Sequence, residues 1–176
     1  DPNQYVADED DDMVTVRATC GMLLDELADR FEGATLVALA SAVERRLGES
    51  ETARAAGDPT WWKIREATLL AVGTLNDFIV ESEAAAREEG AAPPFSASLF
   101  LKSVMDADLV AGAEKILPPF LRGRALWVAA RLAPGAPPAA AGAVLHASLA
   151  ALAPGSAPPL RVGACRALAQ YVPMAP

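Results

Sequence analysis

The sequence is poor in the residues from which chemical sites are usually built. It has a single histidine, His146, and two cysteines, Cys20 and Cys165, far apart in the chain. No metal-ligand set can be drawn from three such scattered residues. Each cysteine sits within an apolar helical pattern, which predicts buried, reduced thiols rather than a disulfide framework. There is no Gly-rich phosphate loop, no nucleophile elbow and no pair of carboxylates placed for a cleft. His146 lies on an Ala-rich stretch with no evident base, nucleophile or metal partner. Catalysis needs a constellation, so the chain reads as non-enzymatic, with no catalytic residue, no metal and no cofactor.

Basic charge is also scarce. Lys and Arg number 15 against 23 Asp and Glu, a net charge of −8. Affinity for nucleic acid comes largely from Lys and Arg on phosphates, so direct DNA or RNA binding is not expected. A negative surface favours basic partners or plain solubility. No apolar run reaches the roughly 20 residues that span a bilayer. Residues 139–153 come closest, but they are Ala-rich and bounded by Pro and Gly. No membrane insertion and no signal peptide are read. The chain opens on Asp1-Pro2 rather than Met, which reads as a piece of a longer protein. No stretch alternates with period two, so no β-sheet is predicted.

What remains is helix. Apolar residues make up 52% of the chain and aromatics 6%, with alanine, the best helix former, dominant. Helices are predicted at about Val14–Phe31, Thr35–Leu47 (ended by Gly48), Pro59–Ser82, Ser96–Asp106, Pro118–Leu132, Ala139–Leu152 and Leu160–Val172, from apolar steps of three and four. Val16, Cys20, Leu23, Leu24, Leu27 and Phe31 form the first apolar face. Gly33 reads as a stop, and Asp58-Pro59 as a capped helix start. Residues 83–94 read as an acidic, Ala-rich link, and 107–117 as a connection. Short Pro/Gly turns predict antiparallel neighbours.

Four helix starts share one pattern: Val16-Arg17-Ala18, Ile64-Arg65-Glu66-Ala67, Leu121-Arg122-Gly123-Arg124-Ala125 and Leu160-Arg161-Val162-Gly163-Ala164. Their arginines stand 48, 57 and 39 residues apart in turn, against a repeat of ~40–47 for HEAT units. The aliphatic residue opens the buried face, and the small residues admit a close neighbour. Arg17, Arg65, Arg122, Arg124 and Arg161 can each reach a carboxylate or helix end in the adjoining unit. The fold class is therefore all-α, an α-solenoid of about 3.5–4 antiparallel HEAT helix pairs cut from a longer superhelix. Residues 1–13 read as an acidic loop. Residues 14–176 read as one domain with approximate units 14–33, 34–82, 95–133 and 138–173. Both ends of such an array should expose apolar surface.

Specific blocks go further than the generic pattern. Gln4 to Asp12 resembles the acidic segment of importin-9-like receptors of the importin-β superfamily. Trp61-Trp62-Lys63-Ile64-Arg65-Glu66-Ala67 with Leu70-Ala71-Val72-Gly73 resembles their double-Trp helix. Pro119-Phe120-Leu121-Arg122-Gly123-Arg124-Ala125-Leu126-Trp127 with Ala130-Arg131 resembles a later helix. Pro159-Leu160-Arg161-Val162 with Ala167 and Tyr171 resembles the one after. The resemblance implies a monomeric nuclear import receptor, in cytoplasm and nucleus, built of HEAT repeats. It implies basic cargo such as core histones, ribosomal proteins and actin, and regulation by the GTPase Ran in the full-length protein. A HEAT scaffold without a transport role is the alternative.

Asp8, Glu9, Asp10, Asp11 and Asp12 are the candidate cargo or Ran contacts. The resemblance implies such a loop, and five close carboxylates attract Lys/Arg-rich partners over about 8 Å at physiological salt. Their spacing lacks the pattern and Gly of an EF-hand. A solvated loop is the plain alternative. Arg17, Arg65, Arg122, Arg124 and Arg161 are expected as structural links between repeats. Of Trp61 and Trp62, which point about 100° apart on a helix, one is expected in the core and one at the seam. Trp127 is expected in the core.

Overall fold

The computed structural model describes residues 15–109 and 117–174. Among the described residues there is no strand, and helices pack in neighbouring pairs as in an α-solenoid. The α-helices are α1 (Val16–Phe31), α2 (Gly33–Ala55), α3 (Trp61–Thr74), α4 (Asn76–Glu89), α5 (Ala97–Val104), α6 (Pro119–Arg131), α7 (Pro138–Ala151) and α8 (Pro158–Tyr171). A π-helical turn, Met105–Leu109, continues α5. The chain divides into two compact units, Val14–Ala97 and a second built on Ser98–Pro176. The expected acidic loop of residues 1–13 lies outside the described residues, as does most of the connection at 107–117.

In the first unit α2 and α3 form an antiparallel hairpin. Ser50, near the end of α2, donates its hydroxyl to the Trp61 carbonyl at the start of α3 (3.1 Å), while Glu51 meets Arg65 one turn further on. α1 runs parallel to α3: Arg17 faces Glu66, and Gly21 sits 3.8 Å (as its would-be Cβ) from the Thr74 methyl. Leu36, Leu39, Val43, Leu69, Val72, Leu75 and Ile79 are buried. α1 buries little: Val16, Leu23 and Phe31 are more than half exposed.

In the second unit α6 and α8 stack in parallel. Gly123 faces Pro159 and Gly163, and Gly163 faces Leu126. Six residues beyond Gly123, the Ala129 carbonyl accepts a hydrogen bond from the Tyr171 hydroxyl (3.0 Å). Contact positions rise together along both helices, which requires a parallel pair. α7 returns the chain and packs on α8. The core joins Leu101, Met105, Leu126, Ala129, Val144, Leu160, Ala164, Ala167 and Tyr171. Burial pushes the Tyr171 phenol well above its ordinary value, so it stays a neutral donor.

Several boundaries differ from the sequence-based expectation, for tertiary reasons. α2 does not stop at Gly48 but runs on to Ala55. A helical glycine costs only about 1 kcal/mol relative to alanine, and the added turns are held where Ser50 is buried against α3. The break after α1 falls at Glu32 (φ 45°), and Gly33 opens the next helix instead of ending the first. The predicted single helix 59–82 is interrupted at Leu75 (φ −90°, ψ 20°). The acidic link at 83–94 is helical as far as Glu89, since Glu83 and Ala86 are buried and Gly90 caps the end at φ 69°. Asp58 does not cap α3 directly. Its carboxylate accepts from the Thr60 amide and hydroxyl (2.7 and 2.8 Å), an Asx turn that delivers the chain to a helix starting at Trp61. Those two bonds hold the Asp58 carboxyl below its usual range. Cys20 and Cys165 are exposed rather than buried.

The Gly123–Gly163 approach leaves no room for a side chain. A Cβ at Gly163 would lie 2.6 Å from the Gly123 carbonyl oxygen, and one at Gly123 would lie 2.7 Å from that of Pro159. Gly163→Ala should therefore lower stability by about 1–3 kcal/mol despite alanine's better helix propensity. Gly142→Ala, on the open face of α7 with nothing within 4 Å, should raise it by about 0.5–1 kcal/mol. Urea midpoints of the two variants are expected to move in opposite directions. Tyr171→Phe, which deletes only the bond to Ala129, should cost about 1 kcal/mol in the same assay.

Candidate functional site

The acidic run Asp8, Glu9, Asp10, Asp11 and Asp12 lies outside the described residues. The other sequence-selected residues fall on α1, α3, α6 and α8, the four helices that carry the aliphatic-Arg start.

Arg17 and Arg65 enter a polar seam in the first unit. Arg17 grips Glu66 with both guanidinium nitrogens, Nη1 to Oε1 at 2.9 Å and Nη2 to Oε2 at 3.3 Å. The Glu66 side chain is nearly buried and that of Arg17 is half exposed. Arg65, itself 4% exposed, donates to Glu51 of α2 at 3.4 Å. One arginine thus spans the parallel α1–α3 seam, and the next ties α3 to its hairpin partner. The second unit is different. Arg122 is half-buried and Arg161 exposed, and neither makes an ion pair among the described residues. Arg124 is buried, its guanidinium 4.6 Å from the centre of the Trp127 ring.

The tryptophans are neither core nor free. Trp61, Trp62 and Trp127 are all half-buried, which corrects the expectation of a core position for Trp127 and for one of the α3 pair. Each ring has a cation over its face: Arg54 on Trp61 at 4.6 Å, Lys63 on Trp62 at 5.9 Å, and Arg124 and Arg131 on Trp127 at 4.6 and 5.3 Å. Such contacts hold within about 6 Å and keep a broad amphipathic ring at a fixed place on the surface. Sequence reading missed Arg54 and Arg131 as ring partners. Arg131 was legible, because residues four apart on a helix share a face. Arg54 was not, since only the hairpin brings it to Trp61. Glu66, the partner of Arg17, is likewise a tertiary contact.

Nothing among the described residues groups three His, Cys, Asp or Glu as a metal site. His146 is exposed on α7. A shallow open depression along α5 is lined by Leu99, Lys102, Ser103, Asp106 and Ala107, and its Lys102 and Asp106 pair with each other at 2.6 Å. No helix among the described residues is long and apolar enough to cross a membrane. On α1, partial burial and then the neighbouring Asp29 raise the Asp25 carboxyl above its ordinary value. Among the described residues the candidate positions combine arginines, carboxylates and aromatic faces.

Importin-9 of Drosophila melanogaster is 35% identical to this chain over 85 residues. That is a distant likeness to an importin. The match takes in 47% of the chain and 8% of the importin-9 protein, so the chain corresponds to a small part of that relative's length. No protein-family model matches.

The α1–α3 seam can be measured directly. Arg17→Ala should destabilise the chain by about 1–3 kcal/mol, because a buried carboxylate loses its bidentate partner. Combining it with Glu66→Gln should cost less than the two single losses added. The coupling from a double-mutant cycle in urea is the readout.

Proposed function

We propose that this chain is a segment of a karyopherin-type nuclear import receptor, which binds basic protein cargo and which Ran regulates in the full-length protein. The observation that carries the reading is the 35% identity to importin-9 over 85 residues. It is supported by motif-bearing helices that pair in parallel within each unit, α1 with α3 and α6 with α8. Arrays of this kind present extended surfaces to large partners. The net charge of −8 suits cargo rich in Lys and Arg, such as core histones or ribosomal proteins, which it would draw in at long range. No role as an enzyme is assigned.

Asp8, Glu9, Asp10, Asp11 and Asp12 are the proposed cargo or Ran contacts. Arg17, Arg65, Arg122, Arg161, Trp61, Trp62 and Trp127 are proposed as structural links between repeats. The receptor would act as a monomer moving between cytoplasm and nucleus. The test is binding of core-histone dimers to the intact receptor, with and without reversal of all five acidic residues to Lys. The reversal should weaken binding about tenfold or more at low salt and flatten its salt dependence. Equal affinity and equal salt dependence in the two proteins would remove the acidic run from the contact. Failure of the unaltered receptor to bind any basic cargo would favour a scaffold without transport function.

A further inference from the structure

A single residue separates α1 from α2. Phe31 ends the first helix, Gly33 opens the second, and Glu32 between them stands at φ 45° and ψ −123°. Residues with a Cβ rarely adopt that backbone region. No proline lies at this junction, and Gly33 is not the residue at positive φ. The local sequence therefore does not impose the bend. Glu is a good helix former, and rotation of Glu32 into the right-handed helical region would join the two helices into one, from Val16 to Ala55.

Tertiary contacts hold the bend, and α1 makes them sparingly. Ala28 is its one fully buried residue, while Val16, Leu23 and Phe31 stay more than half exposed. Arg17 reaches across to Glu66 of α3. The Thr35 hydroxyl donates to the Leu27 carbonyl at 2.7 Å. In a continuous helix those residues would lie about 12 Å apart along the axis, so this bond exists only where the chain folds back. Against these contacts stand the backbone strain at Glu32 and the helix-end amides and carbonyls that a continuous ladder would pair.

We propose that Glu32 is a hinge between two states of this chain. In the bent state α1 is docked on α3. In the straight state α1 and α2 form one helix, Arg17 parts from Glu66, and the side of α3 from Glu66 to Thr74 that faces α1 is uncovered. Such an element is bistable because each state satisfies interactions that the other breaks. The inference does not depend on the import reading.

The experiment measures distances between spin labels at Cys20, exposed on α1, and at Arg45→Cys, exposed on α2. It uses the whole 176-residue chain carrying Cys165→Ser. A continuous helix sets the two positions about 38 Å apart, whereas the fold-back at Glu32 brings them much closer. The chain without further change should show mostly the short distance, with a minor peak at the long one. Thr35→Val deletes a bond that only the bent state makes. Gly33→Ala favours a continuous helix, at a position with nothing within 4 Å of an added Cβ. Together they should raise the long peak several-fold, with helical circular dichroism retained. Glu32→Gly, which removes the strain of a positive φ, should lower it. The short distance alone in every variant would overturn the proposal. So would a broad spread without the long peak, the mark of fraying rather than straightening, or an equal long peak in Glu32→Gly and the double variant.

Discussion

The second unit depends on two backbones touching. At Gly123 and Gly163 two parallel helices come so close that no Cβ fits between them. Contact at this distance brings Leu126, Ala129, Leu160 and Ala164 into one core and places the Tyr171 hydroxyl on the Ala129 carbonyl. Interiors are packed as densely as organic crystals, so a gap of one methyl would be felt along the whole seam. Alanine, abundant here, fits the same geometry. It fills little space, so helices must approach closely for an Ala-rich core to be buried at all.

The first unit makes an equivalent parallel seam with different chemistry. Where α6 and α8 meet through glycines, α1 and α3 meet through a half-buried Arg17–Glu66 pair. A charge pair tolerates a wider spacing than a glycine contact and is directional. It sets register rather than supplying much net stability, since desolvation offsets a large part of the Coulomb gain. α1 correspondingly buries little, and Val16, Leu23 and Phe31 remain exposed. The two seams divide the work of a repeat between steric fit and ion pairing, on helices that begin with the same aliphatic-Arg pattern.

Rings with guanidinium groups over them at Trp61 and Trp127 give amphipathic patches in both units. Each ring is partly buried, with an arginine over a face.

The sequence by itself determined that the described chain is helical, where most helices begin, and which small residues sit at close approaches. Helix propensity, Pro starts and three-four apolar spacing act within a few residues, so they can be read locally. Tertiary structure decided the rest. It carried α2 through Gly48 because Ser50 found a partner on α3, broke the long helix at Leu75, and made Glu83 part of a helix rather than a link. It also left Cys20, Cys165 and half of Trp127 uncovered. An apolar stripe on a helix states that a face can be buried; whether it is buried depends on a neighbour supplied by distant sequence, and no local pattern encodes that neighbour's position.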